Sequence, residues 1–350
     1  EHYTGVRPEV GTVDDVSHLT NPPYGTSLSI TNQFGFQFNY KYNDFIGLNV
    51  ITIGTDIVSD IVNDEIDTYN YQVDQKVNTL AYFVQSDWNI NEKLNLLSGV
   101  RFDKHSLLNN IVLSPRLSFL YNLKKNAQFR ASYSTGFRAP QAFDTDLHIA
   151  FAGGGISRVS LADDLSQENS ESFSTSINYD YAKETYIYGI TCEAFYTILE
   201  NAFYLDPSGS DDFGDLFIKR NGSGAVVKGI SVDLRMNYNK IIQLESGITL
   251  QKSKYDNPVS YSNDLYAVSS FLKTPNIYGH ANLSHMINDN FNISLNYIYT
   301  GKMDLVHMGG SFNNPTDKYV SSNNFHQFDV NINYIQNLEK IGVKLNYLIG

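Results

Sequence analysis

The chain alternates apolar and polar residues with a period of two over many separate segments. Residues 34–42 place Phe or Tyr at every second position, and residues 230–238 place Ile, Val, Leu, Met and Tyr opposite Ser, Asp, Arg and Asn. This period is typical of a β-strand whose two faces meet different surroundings. It predicts about 14 strands and no helix. The predicted strands lie near residues 27–42, 45–57, 75–90, 94–107, 112–123, 128–138, 168–182, 185–205, 223–238, 241–254, 275–287, 291–305, 325–336 and 341–348.

The connections between these strands alternate between short and long. Short turns such as Asn43-Asp44 and Asn239-Lys240 consist of residues that favour tight turns. Long connections are predicted at residues 58–74, 139–167, 206–222, 255–274 and 306–324. In an antiparallel meander this alternation places all long loops at one end, which is typical of outer-membrane barrels.

Several predicted strands are long enough to cross a membrane, since a tilted membrane strand needs about 9–11 residues. Tyr and Phe are concentrated near strand ends, as in the aromatic girdles of membrane barrels, and the second face is rich in Asn, Ser, Gln and charged residues. We therefore expect an all-β fold, a transmembrane antiparallel β-barrel. A soluble sandwich or propeller with one solvent face does not explain why the long loops share one end.

Composition narrows the possible functions. The 350 residues include 25 Lys or Arg and 37 Asp or Glu, a net charge of −12, so the basic surplus of a nucleic-acid binder is missing. The single cysteine excludes an internal disulfide framework and a Cys-rich metal site. No apolar run approaches the length of about 18 residues that a membrane-spanning helix needs.

Several segments carry a family resemblance. They include RASYSTGFRAPQAFDTDLHI at 130–149, SPRLSFLYNL at 114–123 and KRNGSGAVVKGISVDL at 219–234, within an ordered series from about residue 75 to the end. This series resembles the barrel of TonB-dependent outer-membrane receptors. The signature box GFRAP comprises Gly136, Phe137, Arg138, Ala139 and Pro140.

The resemblance implies a barrel of about 22 strands around an N-terminal plug. Residues 1–350 are then a partial barrel domain. We expect both ends to continue into a longer protein, which supplies the plug and the terminal strands. The implied location is the outer membrane of a Gram-negative bacterium. The implied partners are membrane lipid, a small-molecule metal chelate, and the TonB complex, which the missing N-terminal segment contacts. No cofactor is expected.

The implied function is energy-driven import of a scarce metal chelate: a ferric siderophore, haem or cobalamin. The alternatives are a passive porin-like channel or surface-binding barrel, and a glycan-uptake receptor working with a surface lipoprotein. An enzyme is not expected, because the set Ser157, Ser160, His148 and Asp163 has no spacing that fixes a catalytic geometry.

Candidate ligand-binding residues lie in the predicted long loops. Asp144, Asp146 and His148 have a spacing of two, so on a strand they would present two carboxylates and an imidazole on one side. Haem receptors of this family carry a His in this interval. The other interpretation is that the stretch packs the base of its loop, and no metal site is assigned.

Further candidates come from the other loops and from the polar strand faces. Tyr261 and His307 lie in or beside two of the long connections, and tyrosine offers a large contact area at low entropic cost. Arg116, Arg130 and Arg138 are predicted to face the lumen and to pair with carboxylates of the wall or plug.

Overall fold

The computed structural model describes residues 2–3, 24–44, 46–66, 71–141, 158–211, 214–262, 265–307, 316–338 and 341–350. Strands make up nearly all of the regular structure in these ranges. Within them, no helix is both long and apolar enough to cross a membrane.

The strands are numbered in chain order. They are β1 (His2–Tyr3), β2 (Tyr24–Asp44), β3 (Gly47–Ile66), β4 (Tyr71–Asn91), β5 (Leu94–His105), β6 (Val112–Lys124), β7 (Ala127–Arg138), β8 (Arg158–Leu161), β9 (Glu168–Ala182), β10 (Tyr186–Glu200), β11 (Phe203–Asp211), β12 (Gly214–Asn221), β13 (Ala225–Tyr238), β14 (Ile242–Val259), β15 (Val268–Ser270), β16 (Ile277–Asn288), β17 (Phe291–Thr300), β18 (Asp304–His307), β19 (Lys318–Ser321), β20 (Phe325–Leu338) and β21 (Val343–Ile349).

One antiparallel sheet of 16 strands forms the wall of the molecule. Its order follows the chain from β1 to β7, continues through β9, β10, β13, β14, β16, β17 and β20, and ends at β21. Two members are short edge pieces, β1 and β15, so the described residues contain 14 long wall strands, as the alternation predicts. In the part of the chain that the structure describes, the first and last wall strands do not pair with each other.

One face of the wall is apolar and exposed. Phe38 lies opposite Ile53, which lies opposite Val84 on the next strand, and these side chains are 55%, 53% and 40% exposed. The same parity places Leu234 beside Ile190 further along the sheet. An exposed apolar surface of this extent is the lipid-facing side of a transmembrane barrel.

The opposite face of the wall is polar and lines the lumen. Hydroxyl pairs cross neighbouring strands there, with Ser132 and Ser174 separated by 2.7 Å and Ser231 and Thr249 by 2.8 Å. In each pair, a hydroxyl group forms a hydrogen bond with a hydroxyl group on the neighbouring strand. The confirmed fold is therefore an all-β transmembrane barrel wall with an apolar outside and a polar inside.

The connections lie at two ends. At the short-turn end, β9 is joined to β10 by residues 183–185 and β13 to β14 by residues 239–241. At the long-loop end, residues 139–167 and 201–224 join consecutive wall strands. The predicted separation of short and long connections is confirmed for these strands.

The predicted long loop at 58–74 is wrong. Strands β3 and β4 continue as a ladder from Leu48 opposite Asn89 to Ile66 opposite Tyr71, so only residues 67–70 connect them. The alternation weakens there because this ladder buries both Val62 and Asp64 on one side. A period-two pattern fails when a face meets mixed surroundings.

The predicted strand at 185–205 is also wrong at its end. β10 stops at Glu200, and Asn201 has a φ of 55°, a left-handed conformation that ends an extended strand. The chain then forms an outer hairpin, β11 with β12, which includes the end of the predicted strand from Phe203 and most of the predicted loop 206–222. A second outer hairpin, β18 with β19, occupies part of the predicted loop 306–324.

Candidate ligand-binding site at the long-loop end

The GFRAP box lies where wall strand β7 ends. Arg138 lies opposite Glu168 at the last register position of β7 with β9. Ala139 is 5% exposed and Pro140 is buried, and the Gln141 amide donates to the Ala139 carbonyl at 2.9 Å. The box therefore fixes the start of the loop and places Arg138 at the long-loop end of the wall, which we call the rim.

Two cations meet one aromatic ring beside this box. The Arg138 guanidinium carbon lies 4.9 Å from the centroid of the Phe203 ring, and Lys219 Nζ lies 4.7 Å from it. Phe203 is 8% exposed and Lys219 only 2% exposed. Cations over an aromatic face are attracted by its quadrupole, and the attraction strengthens as water is removed. We call Arg138, Phe203 and Lys219 the cation–aromatic cluster.

Polar contacts fix this cluster to the wall. The Phe203 amide donates to Glu168 Oε2 at 2.8 Å, and Lys219 Nζ donates to the Gln141 carbonyl at 3.1 Å. The first bond joins β11 to wall strand β9, and the second joins β12 to the loop after β7. A buried ammonium is costly unless such partners surround it, so the cluster holds Lys219 in place.

Tyr255, Tyr261 and Phe271 lie at the same rim, and we call these three residues the tyrosine group. Tyr255 at the end of β14 stacks on Phe271 with centroids 4.3 Å apart, and its hydroxyl shares a hydrogen bond with Tyr261. Tyr255 also interacts electrostatically with Glu168 and Arg138, so it lies near the cation–aromatic cluster. Burial raises the pKa of the Tyr261 phenol well above its usual range, and the neighbouring Tyr255 adds to the effect.

The outer hairpin β18–β19 is tied to this tyrosine group. The Tyr319 hydroxyl donates to the Tyr266 carbonyl at 2.8 Å, and the Ser262 hydroxyl donates to the Asp317 carboxylate. His307, exposed on this hairpin, lies opposite Lys318. The loop after β14 and the hairpin therefore form one connected surface.

The chain matches the family model described as TonB dependent receptor-like, beta-barrel, over residues 3–347. The chain belongs to the TonB-dependent receptor family, in its β-barrel part. No curated protein matches this sequence.

Solved receptor structures share the fold. The siderophore receptor PirA from Acinetobacter baumannii is 15% identical with a TM-score of 0.63, and the match covers 88% of this chain and 48% of that one. The ferric-catecholate import receptor Fiu from E. coli K12 is 14% identical with a TM-score of 0.64, covering 89% and 48%. FpvA from P. aeruginosa, solved with heterologous pyoverdines, is 13% identical with a TM-score of 0.64, covering 90% and 43%. The chain thus spans about half the length of these receptors.

The structure brings some predicted residues together and separates others. Arg138 and Tyr261 both interact with Tyr255 at the rim, while His307 lies on the outer hairpin. Asp144, Asp146 and His148 fall outside the described residues. The ligand role of all these residues stays a prediction.

Arg116 and Arg130 lie on the polar face of the wall, away from the rim, and both are exposed. Within the described residues neither forms a salt bridge, and their expected pairing with carboxylates of the wall or plug stays a prediction. Arg101 forms such pairs instead, with Asp56 at 2.8 Å and Asp103 at 2.9 Å. The reason is register, since both carboxylates lie within reach of Arg101 on the same face.

Sequence reasoning missed Phe203, Lys219 and Glu168 as site residues. They are far apart in the chain, and their only sequence signal is that each belongs to a segment of the family series. The described part of the chain holds no group of three or more His, Cys, Asp or Glu side chains arranged to bind a metal ion. Cations, phenols and aromatic faces make the rim suited to holding an anionic, ring-bearing molecule.

Proposed function

We propose that this chain is the barrel portion of a receptor in the outer membrane of a Gram-negative bacterium. The receptor captures an anionic ferric siderophore at the long-loop end and imports it to the periplasm with energy relayed by the TonB complex. Family membership supports receptor-mediated uptake, and the relatives described as siderophore or ferric-catecholate receptors support an iron chelate.

The observation that carries the choice of an anionic chelate is the cation–aromatic cluster. Two positive side chains converge on Phe203 at 4.9 and 4.7 Å although the whole chain has a net charge of −12. Local positive charge at the mouth of a negatively charged protein attracts an anion to that place. Nearby phenols offer hydrogen bonds to the oxygen atoms of the same ligand.

Among the chelates that receptors of this family import, the tyrosine group favours one that carries aromatic groups. Tyr255, Tyr261 and Phe271 present aromatic surface beside the cluster, and stacked rings gain about 0.5–1.5 kcal/mol beyond the area they bury. A ferric chelate with aromatic iron-binding groups fits this surface better than a neutral sugar chain. Haem and cobalamin are the next candidates.

The test measures binding to the full-length receptor purified in detergent. The probes are a ferric tris-catecholate, a ferric hydroxamate, haem and cobalamin. We expect the catecholate to bind most tightly, and Arg138→Gln to weaken its binding about tenfold, because Arg138 is the exposed cation of the cluster and a hydrogen bond or ion pair to a charged group contributes about 1.5–3 kcal/mol. Lys302→Gln is the matched control, since Lys302 is exposed and lies outside the cluster.

Coupling is tested separately by uptake of the labelled chelate into cells with and without TonB. We expect uptake only in cells that contain TonB. Equal uptake in both strains would support the passive channel, and tightest binding of an oligosaccharide would support the glycan-uptake receptor. A surface lipoprotein partner would then be sought by co-purification.

A further inference from the structure

Four tyrosines form a patch on the lipid-facing side of the wall, near the short-turn end. Tyr181 stacks on Tyr188 with centroids 5.2 Å apart and on Tyr186 at 6.1 Å. Tyr186 and Tyr188 lie 6.3 Å apart with nearly parallel planes, and Tyr179 lies 6.5 Å from Tyr188. We call these four residues the tyrosine patch.

The phenols of the patch are close neighbours. The Tyr188 hydroxyl interacts with those of Tyr179, Tyr181 and Tyr186, and it shares a hydrogen bond with Tyr179. Tyr188 remains 43% exposed on the outer side of the wall. Tyr238, 49% exposed, lies opposite Tyr186 and extends the same surface. The patch therefore presents several phenols side by side on one surface.

Lysines cluster in the turns beside the patch. Lys183 Nζ lies 5.9 Å from the Tyr186 ring centroid, so its charge sits at the edge of the patch. The turn after β13 carries Lys240 and is bonded to the turn after β9, since the Asn239 amide donates to the Thr185 carbonyl at 2.6 Å.

The next turn along the wall adds more positive charge. It carries Lys125 directly after Lys124, the last residue of β6, and it is joined to β9 by a bond from the Asp180 amide to the Asn126 carbonyl at 2.9 Å. The three neighbouring turns hold these four lysines and one acid, Glu184. Their net positive charge contrasts with the charge of −12 over the whole chain.

We propose that the tyrosine patch, with Lys183 and Lys240, is a binding site for the phosphate headgroup of an anionic glycerophospholipid. Phenol donors and ammonium groups are the partners that a phosphate diester prefers, and the tyrosine rings cover the adjoining acyl chains. Lysines close to a membrane surface attract anionic lipid with about 1 kcal/mol each.

The arrangement disfavours the ammonium group of a zwitterionic lipid. Aromatic faces attract cations, but Lys183 already lies over the Tyr186 ring, so a headgroup ammonium would meet a like charge there. The site is therefore selective for lipids with net negative charge. It depends on the transmembrane fold and is independent of the chelate proposed above.

The test is native mass spectrometry of the full-length receptor in detergent, titrated with phosphatidylglycerol or phosphatidylethanolamine. We expect phosphatidylglycerol to bind more tightly, and Lys183→Ser with Lys240→Ser to weaken it about fivefold per lysine. Tyr186→Phe with Tyr188→Phe keeps the rings but removes two hydroxyls, and we expect it to weaken phosphatidylglycerol binding severalfold as well.

The control is Lys302→Ser with Lys318→Ser, which removes the same charge at the long-loop end. All variants are first shown to be folded by their heat-dependent gel mobility. Equal binding of the two lipids, unchanged binding in the Lys183 and Lys240 variant, or an equal loss in the control would each overturn the proposal. Chelate binding measured on the same samples separates this site from the proposed transport function.

Discussion

Arg235 on β13 reaches across an intervening strand to Asp180 on β9. Its Nη2 lies 3.0 Å from Asp180 Oδ1, and its Nη1 donates to Thr191 Oγ1 at 3.0 Å. The intervening residue is Gly189 on β10, opposite both partners in register. A Cβ at Gly189 would overlap Asp180 Oδ1 and lie 3.0 Å from Arg235 Nη2. The absence of a side chain there lets the ion pair lie flat on the lumen wall.

Gly189→Ala should therefore displace this ion pair. We expect the free energy of unfolding to fall by about 1 kcal/mol, because both partners are partly exposed and such pairs contribute little more than that. The measurement is urea unfolding of the full-length receptor in lipid vesicles, followed by tryptophan fluorescence, to which Trp88 of the wall contributes. In the control Gly136→Ala, the new Cβ meets the rotatable Ser170 hydroxyl at 3.1 Å, and a smaller change is expected. Equal losses in the two variants would contradict the explanation.

Arg101→Met should destabilise the wall more than Arg116→Met. Arg101 bonds Asp56 and Asp103, and the Asp103 side chain is only 5% exposed. Removing the guanidinium leaves a buried carboxylate without these bonds, which costs about 1–3 kcal/mol. Arg116 is exposed and forms no salt bridge within the described residues, so its replacement should change the free energy of unfolding by less than about 0.5 kcal/mol. The same urea experiment compares them, and similar effects would refute the assigned role of Arg101.

Deprotonation of Tyr261 should lower the stability of the barrel at high pH. Burial raises the pKa of this phenol above the value of about 10 that it has in the unfolded chain. Above pH 10 the unfolded state releases the proton first, so stability is constant below that pH and falls as pH rises further. Thermal unfolding of the wild type in detergent between pH 8 and 11 should show this fall, and Tyr261→Phe should reduce it. An unchanged slope in the variant would mean that other groups cause the loss.

Much of the wall follows from local chemistry. The alternation in residues 230–238 is enough to place Leu234 outside and Arg235 inside, because successive side chains of a strand point to opposite faces. Turn residues such as Asn239 mark where the strands reverse. Such rules need only neighbours in sequence, which is why the number of long strands and the two kinds of connection were predictable.

The candidate site was less predictable. Arg138 was singled out from the family box, but its partner Phe203 is separated from it by a long loop and a wall hairpin. Nothing in the local sequence of Lys219 shows that it lies buried against the same ring. Contacts of this kind depend on how separate loops fold over one rim.

The sequence by itself determined the class of fold, the polarity of the two faces and the family, since these depend on the period of the side chains and on short ordered motifs. The tertiary structure decided that Arg101 pairs with Asp56 and Asp103 on the wall, and that Arg138 and Lys219 share one ring. It also decided that Lys183 lies beside stacked tyrosines. Strand register and loop packing set the distances between remote residues, and no local pattern of the chain encodes those distances.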